Sequence, residues 1–532
     1  MKILICDPIS PKGIALFKER PEFEVTVLDK RLSEGELVPL VGDVEAMVVR
    51  SETKITARII EAASKLRVVG RAGVGVDNVD VEAATAHGVV VMNTPGGNTI
   101  TTAELSFAML LNLARKVPQA HATMVAGKWD RKVFQGVELA GKTLGVLGMG
   151  RIGGEVAKRA AAFGMRVVAY DPFLNDARAR LLGVEIVSDV DVLYREADFI
   201  SVHMPATEQT KGMLNAAAFA RMKPGVRIVN CARGEIISDS DLLAALDSGK
   251  VAAAALDVFI TEPLAADHPF RKHPAITLTP HLGASTAEAQ EKCGIEVAEV
   301  ITNYLLTGEV RNAVNLPHLD AKTYEQVKPY LTLGEKLGRF LGQLAPAQVD
   351  RLYITYGGKA RELPNTDPIT RAILQGFLSR SSVDNLNNVN VRSVASTLGI
   401  SVEEKRSDEP VTFNEWLHVQ VFNAGQKVIS AGGTFFGSPD NPRIVRVFSM
   451  PTEIIPSGVV FMLNNKDRPG MVGHLGTLLG RHNVNIASMS LSRDSEGGQA
   501  LTVLNLDSVP PASVLDELQH DPDISNLRVV KL

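Results

Sequence analysis

Cysteine is scarce in this 532-residue chain: Cys6, Cys231 and Cys293 are far apart, odd in number and in no metal-ligand spacing. That excludes a disulfide framework and a zinc site, and it points to a reduced, cytoplasmic setting with no metal. An excess of one charge is also lacking. Lys plus Arg number 56 against 60 for Asp plus Glu, a formal net charge of -4, with no polybasic block. Neither nucleic acid nor an anionic membrane surface is therefore an expected partner. No apolar run approaches the roughly 18 residues of a membrane helix. The opening MKILICDP is ended by Asp7 and Pro8, too soon for a signal peptide. The chain has no short-period repeat, which argues against a solenoid.

What is present is a composition of 45% hydrophobic and 22% charged residues, enough to bury full cores. The length exceeds what one core supports, so three or four domains are expected. Strand-like runs alternate with helical patterns from the start: KILICD, FEVTVL, AMVVRS, LRVVGRAG and GVVVMN. The alternation predicts βαβ units on a parallel sheet. A helix is predicted from Thr101, with Glu104 completing a capping box. Its apolar body, LSFAMLLNLAR, is either a core helix or one covered by another domain or subunit.

A second alternating series runs through KTLGVLGMG, RVVAYD, FISVHM, VRIVNCAR, AAALDVF and ITLTPH, and predicts a second doubly wound sheet. The chain then returns to the first unit near 284–315. Beyond Pro317 the pattern is mixed and includes the polar stretch SRSSVDNLNNVNVRS. From Gly458 the order strand, helix, strand, strand, helix, strand is the ferredoxin-like βαββαβ plan. The predicted fold is α/β in two Rossmann-like domains, followed by an α+β domain and a ferredoxin-like one. The boundaries fall at 1–97 with 285–316, 98–284, 317–453 and 458–532.

Gly148-Met149-Gly150-Arg151-Ile152-Gly153 fits G-x-G-x-x-G between a strand and a helix. Gly148 permits the tight turn, Gly150 the approach of a pyrophosphate and Gly153 close helix–strand packing, with the helix N–H groups facing the anion. Asp171 ends the next strand 18 residues after Gly153, where a carboxylate meets a ribose 2′-OH. Pro172 follows, with no Arg to accept a 2′-phosphate, so NAD is preferred to NADP.

Three islands at strand ends carry Arg233, Glu262 and His281. An imidazole can take a hydroxyl proton near neutral pH, a carboxylate can orient it, and a guanidinium can hold a substrate carboxylate with two prongs. Each has a structural alternative. Arg233 can cap a helix or pair with Asp239, Glu262 can be a turn acid before Pro263, and His281 can be a satisfied loop residue.

RAGVGVDNVD, GMGRIGGEVA, NCARGEII, ALDVF, TEP and TPHLGAS together resemble the D-2-hydroxyacid dehydrogenase family across residues 45–316. The resemblance implies the roles above for Arg233, Glu262 and His281. It also implies NAD contacts for Val74, Arg151, Ile152, Met204, Cys231, Asp257 and Gly283. VVRSETKIT is similar to the segment of the phosphoglycerate-oxidising members that grips the substrate phosphate, which implies Arg50 and Ser51, with Arg71, Asn98 and Arg131 at further substrate positions. The region after Pro317 resembles the intervening, allosteric substrate-binding-like domain of the long members. NNKDRPGMVGHLGTLLGRHNVNIASM resembles an ACT domain, whose relatives can bind L-serine between subunits at positions corresponding to Asp467 and Asn485. Both residues also read as ordinary turn residues. Asn465 stands where some serine-sensitive relatives carry an aromatic residue.

The implied activity is NAD-dependent oxidation of D-3-phosphoglycerate to 3-phosphohydroxypyruvate, the first step of L-serine synthesis, in a homodimer or homotetramer. A broader 2-oxoacid or hydroxypyruvate reductase and an NADH-sensing corepressor-like protein are the alternatives.

Overall fold

The computed structural model describes all residues except 175–178, 181, 318–320, 382–384 and 410–412. Residues 382–384 of the polar stretch therefore lie outside the described residues. No described helix is long and apolar enough to cross a membrane.

The first sheet contains β1 (Lys2–Ile5), β2 (Glu24–Val27), β3 (Ala46–Val49), β4 (Val68–Arg71) and β5 (Val90–Asn93). It is parallel, in the order β2-β1-β3-β4-β5. Its strands read as continuous apolar runs because helices cover both faces. The helix Ala287–Thr307 returns to this sheet, where Val297, Ala298 and Ile301 share a core with Ile3, Ile5 and Phe17. Asn315 then seals the return: its Oδ1 accepts from Val91 N–H at 2.9 Å and its Nδ2 donates to Val89 O at 2.9 Å.

The second sheet comprises β6 (Thr143–Leu147), β7 (Arg166–Tyr170), β8 (Glu185–Ile186), β9 (Phe199–Val202), β10 (Val226–Asn230), β11 (Val251–Leu256) and β12 (Ile276–Leu278). The order β12-β11-β10-β9-β6-β7-β8 reverses between β6 and β9, which creates the crevice at strand ends where doubly wound folds bind ligands.

The helix placed at Thr101 begins earlier, at Thr99, with Asn98 as its N-cap and no capping box. Thr102 N–H already donates to Asn98 O at 2.9 Å, so Thr101 lies inside the first turn, where its hydroxyl meets that of Thr286 at 3.2 Å. Within the chain, one side of this helix is packed in a core. Phe107, Leu110 and Leu113 pack with Leu144 and Val146 of the second sheet and with Val156 of the helix Arg151–Ala162.

The third sheet consists of β13 (Arg351–Gly358), β14 (Ser401–Arg406), β15 (Glu415–Asn423), β16 (Gln426–Phe435), β17 (Pro442–Val447) and β18 (Met450–Ile454). It is more regular than the sequence pattern suggested. The helices Ala321–Leu344 and Asp367–Leu378 cover its inner face. The fourth sheet holds β19 (Val459–Lys466), β20 (Ile486–Arg493), β21 (Gln499–Leu506) and β22 (Ile524–Lys531) in the antiparallel order β20-β21-β19-β22. That is the ferredoxin-like plan read from the sequence. One face carries Phe461 and Leu463 toward two helices, while Val460, Met462 and Val503 join the core of the third sheet.

Candidate active site

The glycine turn follows β6. Gly148 has φ +92°, and a Cβ there would lie 2.7 Å from His203 O. A Cβ on Gly153 would lie 2.1 Å from Gly148 O, so only glycine lets the helix Arg151–Ala162 sit this close to the strand. Gly150 caps that helix, and a Cβ there would meet nothing within 4 Å, which leaves an open side for a ligand backbone. Asp171 Oδ2 accepts from Met149 N–H at 2.8 Å and its Oδ1 accepts from Phe173 N–H at 2.8 Å, so the acid is tied to the turn. Open space, helix N–H groups and a fixed carboxylate fit a dinucleotide. Arg151 and Ile152 open the helix and Met204 follows β9.

His281 follows β12 on a loop held by Asp257, with φ +55°. The buried Asp257 carboxylate accepts from Thr279 Oγ1 at 2.6 Å, Leu282 N–H at 2.8 Å and Gly283 N–H at 2.9 Å, while its backbone O accepts from His281 N–H at 2.9 Å. Burial raises the Asp257 carboxyl, and these bonds oppose it. His281 Nδ1 meets Glu262 Oε2 at 2.8 Å, and Glu262 Oε1 accepts from Phe259 N–H at 3.0 Å. The bond with Glu262 holds the imidazole above its ordinary 6.5 against the effect of burial. Burial acts to raise Glu262, but His281, the Phe259 N–H and Arg233 together leave it lowered.

Arg233 follows β10. Its Nη1 donates to Ala232 O at 2.7 Å and its Nη2 pairs with Asp77 at 2.9 Å. Asp239, its possible partner from sequence, instead faces His268 at 3.3 Å. Cys231 is buried with Sγ 3.4 Å from Met109 Sδ, and burial pushes its thiol up to about 12, so it is neutral.

On the facing wall, Arg71 ends β4 with its Nε buried and without a hydrogen-bond partner among the described residues; burial, joined by the charge of Arg233, pulls it down to about 10. The Arg50–Ser51 loop follows β3 and is fixed by Asp7, whose carboxylate accepts from Arg50 N–H at 2.6 Å, Thr53 N–H at 3.1 Å and Thr53 Oγ1 at 2.5 Å. Asn78 Nδ2 adds bonds to Arg50 O at 2.8 Å and Thr53 O at 2.6 Å. Arg50 lines a cleft of about 330 Å³ with Ser10, Ala72, Ala284 and Cys293. Asn98 Oδ1 is also buried without a partner among the described residues, and Val74 O accepts from Asn93 Nδ2 at 2.6 Å.

Arg131 stands apart, on an exposed segment with no hydrogen bond or ion pair to these groups among the described residues. Asp7 and Asp77 were not singled out from the sequence. Asp77 lies inside RAGVGVDNVD and Asp7 ends the opening apolar run, but the partners of both are far along the chain, so neither was given a role.

Just after β19, Asp467 accepts from Arg493 Nη1 at 2.8 Å and Gly497 N–H at 3.1 Å, and just before β20, Asn485 Nδ2 donates to Asp507 Oδ2 at 2.8 Å. Asn465 is buried and accepts from Thr502 Oγ1 at 2.7 Å.

The profile of the D-isomer specific 2-hydroxyacid dehydrogenase NAD binding domain matches residues 107–283. That of the D-3-phosphoglycerate dehydrogenase intervening domain matches 326–448, and that of the ACT domain 459–520. The chain is 42% identical to the D-3-phosphoglycerate dehydrogenase of Archaeoglobus fulgidus over 100% of both chains. It is 40% identical to that of Methanocaldococcus jannaschii, again over 100% of both. The chain belongs to the D-3-phosphoglycerate dehydrogenase family. As a member it is an NAD-dependent oxidoreductase with a C-terminal ACT domain. Its catalytic half is similar to the NAD+-bound 3-phosphoglycerate dehydrogenase of Entamoeba histolytica, with TM-score 0.51 and 30% identity over 59% of this chain and 99% of that one.

Proposed function

We propose that the chain oxidises D-3-phosphoglycerate to 3-phosphohydroxypyruvate, opening L-serine synthesis in the cytoplasm. NAD, when bound at the glycine turn, supplies the acceptor for the hydride leaving C2. His281 takes the hydroxyl proton on Nε2 while Glu262, bonded to Nδ1, stabilises the imidazolium. Arg233 grips the substrate carboxylate and polarises the reacting oxygen. Arg50, Ser51, Arg71 and Asn98 receive the remainder of the substrate, the phosphate falling to the Arg50 loop.

The observation that carries this reading is the 2.8 Å contact of His281 with Glu262 beside Arg233, at strand ends facing a wall that holds two further guanidiniums. Arg131 lies on a segment that exposes Val117, Val125, Trp129 and Val133, an apolar run suited to cover by a second copy. On this reading the chain forms a homodimer or homotetramer and Arg131 serves the partner's site. The ACT domain is read as an effector-binding unit, with Asp467 and Asn485 as its L-serine contacts.

The test is NADH formation with D-3-phosphoglycerate beside D-glycerate, with and without L-serine. A strong preference for the phosphorylated substrate is expected. Equal rates on both would move the assignment to a broader 2-oxoacid reductase.

A further inference from the structure

The Arg233 grip is built from both walls of the cleft. Arg233 belongs to the second sheet, yet its Nη2 is held by Asp77, which lies on the loop after β4 of the first sheet. Among the described residues its own wall supplies one hydrogen-bond acceptor to the guanidinium, Ala232 O at 2.7 Å from Nη1. One prong is therefore fixed locally, and the plane of the guanidinium is completed from across the cleft. The Asp77 loop is well placed to do this. Next to Asp77, Asn78 ties the loop to Arg50 O and Thr53 O, and Ile55 N–H donates to Asn78 O at 2.8 Å. Gly75 gives the passage, because a Cβ there would lie 1.7 Å from Arg233 Nη2.

Asp77 also answers an electrostatic need. The charge of Arg233 disfavours that of Arg71, and the Asp77 carboxylate opposes this effect. Asp77 is 73% exposed, so the ion pair contributes little to stability, and its value lies in direction.

We infer that Asp77 is a positioning residue that clasps Arg233 across the cleft, so that the guanidinium is set for the substrate carboxylate only when the two walls are together. Closure and alignment become one event. A substrate bound in the parted cleft meets an arginine with one fixed prong, and hydride transfer waits for the second.

This rests on the proposed oxidation, and the experiment separates the two. Asp77→Asn, Asp77→Ala and Asp77→Glu are made in the full chain, and kcat, KM, NADH binding by fluorescence and thermal midpoint are measured. The primary isotope effect on kcat is taken with substrate deuterated at C2. Asp77→Ala is expected to lower kcat roughly tenfold or more and to raise the isotope effect, with NADH affinity and thermal midpoint near wild type; Asp77→Glu should recover part of the rate. A wild type that oxidises D-3-phosphoglycerate while Asp77→Ala keeps kcat within about twofold overturns the clasp alone. So does a loss of rate that tracks a lowered thermal midpoint with an unchanged isotope effect. A wild type with no turnover overturns the function and the clasp with it.

Discussion

An imidazole serves as a base only while neutral, and His281 is held above its ordinary 6.5 chiefly by Glu262. The oxidation rate should therefore fall as pH drops through that raised value, because protonation removes the base. Glu262→Gln keeps a hydrogen-bonding group but removes the charge, so the acid limb of kcat/KM should move to lower pH while the plateau falls. A limb that stays in place would assign it to another group. Arg233→Lys tests the neighbouring contact. A point charge cannot reproduce two directed N–H donors, and losing a charged hydrogen bond costs about 1.5–3 kcal/mol. That predicts roughly a 10- to 150-fold loss in kcat/KM, with NADH affinity retained; near wild-type kinetics would remove Arg233 from its role.

At the scale of elements, the glycine turn separates folding from binding. Gly153→Ala places a methyl 2.1 Å from Gly148 O, so the helix must shift and both thermal stability and NADH affinity should fall. Gly150→Ala places one in open space, so stability should hold while NADH affinity drops. Equal thermal losses in the two variants would contradict this division. The same elements explain what the sequence disclosed. Apolar runs such as AMVVRS marked the parallel strands because both faces are buried, and β3 is buried at every position. The two-residue β8 has no such run. The helix at Thr99 was misplaced by two residues because Thr101 and Glu104 mimic a cap, whereas Asn98 makes no side-chain cap bond that would betray it. Strand-end motifs exposed Arg233, Glu262 and His281 as candidates. The pairings of Asp7 and Asp77 were not legible because their partners are tens of residues or more away, and such contacts leave no local pattern.

At the scale of the molecule, the last two sheets form one body. Met462 and Val503 of the fourth sheet are buried in the same core as Val447 and Ile454 of the third and Phe340 of its covering helix, and Gln343 both donates to Lys531 O at 2.7 Å and accepts from its N–H at 3.0 Å. Any ligand of the ACT unit therefore acts on a composite body, whose reach to the catalytic half includes Asn387 Nδ2 donating to Gly88 O at 2.8 Å. That bond touches the first sheet just before β5, on the wall that carries Arg71 and Asp77. If the two sheets were independent, the Val503 face would meet solvent and tolerate a charge. In the shared core a carboxylate has no partner, and burying it costs several kcal/mol. Val503→Asp should accordingly lower the calorimetric transition of the C-terminal half by many degrees and abolish any effector response, while NADH binding at the distant glycine turn persists. An unchanged transition would show that the two sheets do not share their core.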